Sequence, residues 1–340
     1  MASTDVRRVY RRPWKIILIS NRSTIIRGGL QAPCHRIPIV LVLLHVLGIS
    51  LTTQALAEEN LQLEDDGHAA GKGSVSITYQ STSISEFDIG DVNVDIGELL
   101  TQSLYAEINY ALTDRWQITA GLPFIRRRYD GPGQHDPRTL VPPRLDVEFL
   151  DDGSYHSNFQ DFFVGFNYLW RTDPVNVEPF VNLFIPSHDY PHFGQAAVGQ
   201  NLWKLEVGVE LIKYMPFSYW YYRVGTSYTF VEKTLGISVS HFRLDGELGY
   251  FFTQGFSANL FVHSKFGKGD EAATFPPSRT DERWYQHDRT AKHSSVNVGI
   301  GANWFIGDKY QVSGSAFTTV RGETVHIVDL AWSIGISRYF

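Results

Sequence analysis

The stretch Ile327–Phe340, IVDLAWSIGISRYF, sets Val328, Leu330, Trp332, Ile334, Ile336 and Phe340 on even positions, and Asp329, Ala331, Ser333, Gly335 and Ser337 on odd ones. Successive side chains of a β-strand point to opposite faces, so this alternation predicts a strand with one continuous apolar face and one small, polar face. Such a strand needs an apolar solvent or a second apolar layer on one side only. Which of the two it meets decides the fold.

Working back from that end, the same two-residue period recurs. Val75, Ile77 and Tyr79 mark a first strand; Leu104 to Leu112 and Trp116 to Phe124 form a pair joined by the tight turn Thr113-Asp114-Arg115. Two strands linked so briefly must be antiparallel neighbours. Further apolar alternations run through Phe162–Trp170, Val177–Ile185, Trp203–Leu211, Trp220–Phe230, Phe242–Phe252, Phe256–Phe266, Val296–Ile306 and Tyr310–Val320, giving twelve strands with the last. Their links alternate between short turns (171–175, 214–218, 253–255, 307–309) and longer segments (126–158, 187–200, 267–293), and the polar segment Ile84–Thr101 is expected as a further link. An even count, short turns on one side and long loops on the other are the plan of an all-β transmembrane antiparallel up-and-down barrel of the bacterial outer membrane. Each strand is expected to hold ~10 residues, enough to cross when tilted. Trp116, Trp170, Trp203, Trp220 and Trp304 fall near strand ends, where interfacial girdles lie. A soluble β-sandwich would pack the apolar face on a second sheet, with fewer bulky aromatics all facing one way. Closure is also the one way for a sheet to span lipid without unpaired edges. Pro123 and Pro179 each remove a ladder donor, and both are expected near strand ends.

The leader agrees with export to that membrane. Ile37–Leu51 is the most apolar run, too short for a spanning helix, which needs ~20 residues; Arg22, Arg27 and Arg36 precede it and Ala55-Leu56-Ala57 follows. These are the three parts of a cleaved signal peptide, so 1–57 is expected to be removed. The pair Arg11-Arg12 lies too far from the apolar run for a twin-arginine signal. Residues 58–72 are acidic and aperiodic, expected as a periplasmic or lumenal extension, and 73–340 as the barrel. Of the 30 basic and 36 acidic residues the leader holds eight and one, so the remainder carries a net charge of −13, which argues against a nucleic-acid partner. The single cysteine, Cys34, leaves with the leader, so the barrel has neither a disulfide nor a thiol nucleophile. The partners expected are outer-membrane lipid and lipopolysaccharide, the barrel assembly machinery reading Tyr339 and Phe340 as its signal, and a small-molecule substrate.

Leu104–Phe124, LYAEINYALTDRWQITAGLPF, resembles the outer-membrane family named for the meta-pathway of phenol degradation, in which a strand, a T-D-R-type turn and a strand ending in L-P-[FY] recur. Gly165-Phe166-Asn167-Tyr168 and Phe184-Ile185-Pro186 are similar in layout. The resemblance implies a transporter-like barrel for small molecules, hydrophobic or aromatic ones among them, with no catalytic residues.

Other chemistry fares less well. An outer-membrane phospholipase also has twelve strands, but its H-x-S-N-G-x-S pattern is absent; the nearest approach is His293-Ser294-Ser295 with Asn297, and the register turns His293 and Ser295 toward the lumen, away from lipid. His188, Asp189 and His192 can ligate a metal only if their loop is held, and Pro191 argues against the helix that would bring the two imidazoles together. Gly299 and Gly301 lack the third glycine and the helix of a nucleotide fingerprint, so no cofactor is expected. The rival classes are a membrane-embedded enzyme and a structural or adhesive barrel working through its loops.

The same register turns Lys204, Glu206, Glu210, Arg223, His241, Arg243, Asp245 and Glu247 inward on three successive strands. Facing lipid, each Arg or Lys would cost ~2–4 kcal/mol near the midplane. Arg223 is expected to join Glu206 or Glu210 to Asp245 or Glu247, as the centre of a salt-bridged network that narrows the pore.

Overall fold

A computed structural model describes residues 69–89, 92–172, 175–269 and 281–340; the expected leader and most of the 58–72 extension lie outside the described residues. The strands are β1 Gly73–Asp88, β2 Asn93–Ala111, β3 Trp116–Asp130, β4 Tyr155–Phe159, β5 Asp161–Tyr168, β6 Trp170–Arg171, β7 Asn176–Pro186, β8 Lys204–Tyr214, β9 Trp220–Val231, β10 His241–Thr253, β11 Phe256–Gly267, β12 Ser294–Ile306, β13 Tyr310–Glu323 and β14 His326–Tyr339. β4 and β5 both pair with β3, and β5 and β6 both pair with β7, so these three ranges are one interrupted strand. Among the described residues this makes twelve strands, each antiparallel to its sequence neighbours. β1 pairs with β14 as well as β2, which closes the barrel.

The outward stripe of β14 is where the alternation predicts it: Ile334 is 54% and Ile336 51% exposed, whereas inward Ala331 is fully buried. Side chains left bare in this way are solvated by lipid in an outer-membrane barrel. Aromatic pairs ring both ends of the apolar band. Trp116 meets Tyr168 at 4.8 Å and Trp220 meets Tyr250 at 4.9 Å on the short-turn side; Phe124 meets Phe159 at 5.2 Å and Phe242 meets Phe266 at 6.4 Å on the loop side. Both ladder and stripe are long-range features of a short-range pattern.

Three expectations are corrected. Ile84–Thr101 is no link: β1 and β2 pair across most of it, from Ile84↔Leu99 to Asp88↔Asn93, so these strands hold 16 and 19 residues and rise beyond the apolar band. Its polar composition disguises Ile84, Ile96 and Leu99, which are buried with Tyr129, Leu150, Ala196 and Ala197 in a core above the barrel. Val328 does not share the lipid stripe, because it packs against this core. The cause is a register shift in the β1–β14 pairing, where Leu330 pairs with Ser83 but Val328 with Ile84; Asp329 is the extra residue of a β-bulge, and the faces exchange there. Pro123 lies in the middle of β3, not at its end. It sits where β3 passes from pairing β5 to pairing β4, and the missing donor coincides with the interruption at Gln160, whose N–H donates to the Pro123 carbonyl at 3.0 Å.

Candidate pore and its extracellular cap

Inside the wall, glycines let aromatic rings lie flat on the neighbouring strand. A Cβ at Gly249 would stand 2.1 Å from the Tyr221 ring, and one at Gly208 would stand 2.4 Å from Phe180. The first contact aims the Tyr221 hydroxyl at Glu247, to which it donates at 2.7 Å, with Asn259 Nδ2 donating to the same oxygen at 2.7 Å.

The charged residues of β8, β9 and β10 are brought together, but around a different centre. Arg243, not Arg223, is the hub: Nη1 lies 3.0 Å from Glu206 Oε1 and Nη2 lies 3.1 Å from Asp245 Oδ2. Glu206 is almost fully buried and also accepts from Ser227 Oγ at 2.7 Å and Asn182 Nδ2 at 3.0 Å. Asp245 further meets His263 Nδ1 at 2.8 Å, and Lys204 Nζ lies 3.0 Å from Asp161 on β5. Arg223 Nε makes the expected ion pair with Glu210 Oε2 at 3.8 Å, longer than a hydrogen bond. His241 is half-buried at the loop-side start of β10. The geometry differs around the two: Arg223 is directly opposite Glu247, whose Oε1 accepts from Tyr221 and Asn259, whereas Arg243 lies opposite Ser227, a small residue that leaves the way to Glu206 open.

His263 and Asn182 complete this network, with the Asp161–Lys204 and Tyr221–Glu247 pairs beside it, and sequence reasoning missed Asp161, His263, Tyr221 and Asn182. The signal was present, since each alternates with outward apolar residues on β5, β11, β9 and β7. Below the hub a cavity of about 280 Å³ opens between Glu107, Asn109, Asn167, Glu210 and the rings of Phe163 and Phe180.

Above the hub the mouth is covered by loops. Residues 187–203 run across it: Ala196 and Ala197 enter the core described above, Arg127 of β3 donates to the Ala197 carbonyl, and Gln160 Nε2 donates to the Val198 carbonyl at 2.7 Å. Tyr190, buried, donates its hydroxyl to Asp161 and accepts the Asn201 N–H at 2.9 Å. Thus Asp161 joins the cap to the lumen network.

Asp151, fully buried in the 131–154 loop, pins the cap. It accepts N–H groups of His135 at 2.8 Å, Gln195 at 3.1 Å and Ala196 at 2.9 Å, and lies 3.0 Å from His135 Nδ1. Burial pushes its carboxyl up, but the His135 ring and the backbone donors outweigh this and hold it below the ordinary carboxylate range. A third segment closes over it, where His287 stacks on His135 at 5.0 Å and on Trp284 at 4.7 Å, and Phe193 meets His135 edge-on at 5.4 Å. His192 packs on Tyr285 at 5.1 Å, and burial, with the charge of Arg289 adding to it, pushes it down to about 4.

The loop residues weighed as ligands are otherwise engaged. Asp189 accepts from Asn201 Nδ2 at 2.7 Å, and His188 Nδ1 meets Ser187 Oγ at 2.9 Å. His293 gives its Nε2 to Lys265 Nζ at 2.6 Å, and Ser294 Oγ accepts the Gly267 N–H at 3.2 Å. At the other end, Phe340 and Gly73 exchange backbone hydrogen bonds of 2.9 and 3.0 Å, and the Tyr339 hydroxyl donates to Gln311.

Solved structures place this architecture. The COG4313 outer membrane channel from Pseudomonas putida F1 superposes with a TM-score of 0.60 at 16% identity, over 80% of this chain and 96% of that one. The fold is that of an outer-membrane barrel. The NanC porin (TM-score 0.45, 10% identity, 78% and 98% covered) and the translocator domain of the autotransporter NalP from Neisseria meningitidis (0.45, 10%, 84% and 97%) are more distant. No family profile matches the chain, and no curated protein matches it in sequence. The resemblance to the phenol meta-pathway family therefore rests on the Leu104–Phe124 hairpin and its layout.

Proposed function

We propose that this outer-membrane barrel is a channel for small molecules, closed at rest by the 187–203 loop. The observation that carries the reading is the joint between cap and lumen at Asp161. One carboxylate receives Tyr190 from the loop and Lys204 from the wall, so the loop is seated on the same charged tier that a permeant must pass. A cargo with a hydrophobic or aromatic body fits Phe163, Phe180 and Phe184 on one side of the lumen, and the hairpin resemblance points the same way.

Purified protein in planar bilayers tests this directly. Discrete KCl conductance steps are expected, and Arg243→Ala is expected to raise the unit conductance more than Arg223→Ala, because Arg243 bridges two carboxylates, Glu206 and Asp245, at 3.0 and 3.1 Å. Folded, heat-modifiable protein that never conducts would sink the channel reading and favour a structural or adhesive role.

A further inference from the structure

Lys265 is the misfit of the lumen. It lies directly opposite Arg243 in the β10–β11 ladder, an arrangement of like charges that destabilises a sheet unless something neutralises it. The carboxylates nearby are already committed: Asp161 to Lys204 and Tyr190, Glu206 to Arg243, Ser227 and Asn182, Asp245 to Arg243 and His263. Among the described residues Lys265 Nζ has one polar partner, His293 Nε2 at 2.6 Å. As an ammonium Lys265 has three donors and no acceptor, so His293 accepts with a neutral ring, and among the described residues the remaining donors have no partner. His241, two positions from Arg243 on the same face of β10, adds a further imidazole and no negative charge.

We propose that Lys265, with Arg243, His241 and His293 around it, is a binding site for a small monocarboxylate at the extracellular end of the lumen, directly beneath the cap. A monoanion suits the site better than a multiply charged one: Lys204, Arg243 and Lys265 balance Asp161, Glu206 and Asp245 in charge, but among the described residues Lys265 alone of these cations has no carboxylate partner, and the three carboxylates repel a second negative charge. Charge-assisted hydrogen bonds from Lys265 hold the carboxylate, and Arg243 contributes field without leaving its own partners. The proposal builds on the channel reading by naming a cargo class, but binding does not require conduction.

Two measurements keep the two ideas apart. In the first, the thermal midpoint of heat-modifiable unfolding is followed in sodium benzoate and in sodium acetate against sodium chloride at equal ionic strength. Each carboxylate is expected to raise the midpoint of the wild type in a saturable way. Lys265→Gln, which keeps a polar side chain of similar reach, is expected to weaken the apparent affinity about tenfold or more, and Lys265→Arg to restore it. In the second, benzoate added to one side of a planar bilayer is expected to block KCl current in the wild type and not in Lys265→Gln. A midpoint that ignores both carboxylates, or responds equally in Lys265→Gln, overturns the site even if the channel conducts. A Lys265-dependent midpoint shift in protein that never conducts overturns the channel reading and leaves the site standing.

Discussion

The wall and the cap use aromatic side chains in opposite ways. In the wall Trp304 is 59% and Trp332 44% exposed, because lipid solvates them; in the cap Tyr190 and Phe193 are each 1% exposed, shut against protein. A lipid-solvated surface needs only an apolar side chain pointing outward, with every backbone group already paired in the ladder. A cap has neither lipid nor ladder. It must satisfy its own polar groups, as any small globular core does, and Asp151 shows how: one carboxylate fills two backbone N–H groups of the crossing loop and one N–H and the ring of His135. The wall is thus distributed in its energetics and the cap concentrated.

Asp151→Ala probes that contrast most strongly. Breaking a buried hydrogen-bonded charge costs about 3–5 kcal/mol, and here the loss falls on one loop. The 187–203 segment is expected to become sensitive to protease added from outside and the open probability in bilayers to rise, while heat-modifiable mobility stays intact. A variant whose loop resists protease like the wild type would mean that the cap is held by its apolar contacts alone.

The matching insult to the wall is Ile334→Arg, placed in the middle of the outward stripe. It is expected to cost about 2–4 kcal/mol of folding stability in lipid, measured by urea titration of reversible folding into bilayers, and to leave the cap's protease resistance unchanged. Equal stability of the variant would contradict the outward assignment of Ile334.

Acidification gives the smallest effect on the cap. His192 is held neutral in the closed cap with its pKa at about 4, below its ordinary 6.5, so the opened loop takes up the proton first; closure is stabilised above pH 6.5 and weakened as the pH falls from 6.5 toward 4. Asp151, also depressed, adds loss of the same sign below the ordinary carboxylate range. Protease accessibility of 187–203 is expected to rise in that window, and His192→Phe to flatten the rise. A flat profile in the wild type would remove His192 from the account.

How much could be read in advance follows the same division. Ile334, Ile336 and their counterparts were legible because a period of two is a local property, and the inward parity of Lys204, Glu206, Arg243 and Asp245 came with it. Which charges pair was not legible, since the choice of Arg243 over Arg223 depends on Ser227 and Tyr221 on the adjoining strand. The cap was invisible for a stronger reason. Asp151 and Ala196 are 45 residues apart, and nothing periodic joins them. Val328 was misread because a bulge resets the period inside an otherwise regular strand, and Ile84 because its neighbours in sequence are polar.

The bulge at Asp329 is also a mechanical joint. Paired ladder hydrogen bonds between β13 and β14 end at Phe317↔Ala331. Beyond that row Thr318 Oγ1 donates to the Val328 carbonyl at 2.9 Å, and Val328 N–H donates to Thr319 Oγ1 at 3.1 Å. Two hydroxyls that can rotate stand where a row of amides would have been rigid. Above this joint Gln195 of the covering loop meets His326 at 2.6 Å, and there β14 keeps its ladder with β1, through Glu86↔Ile327 and Phe87↔His326, but not with β13.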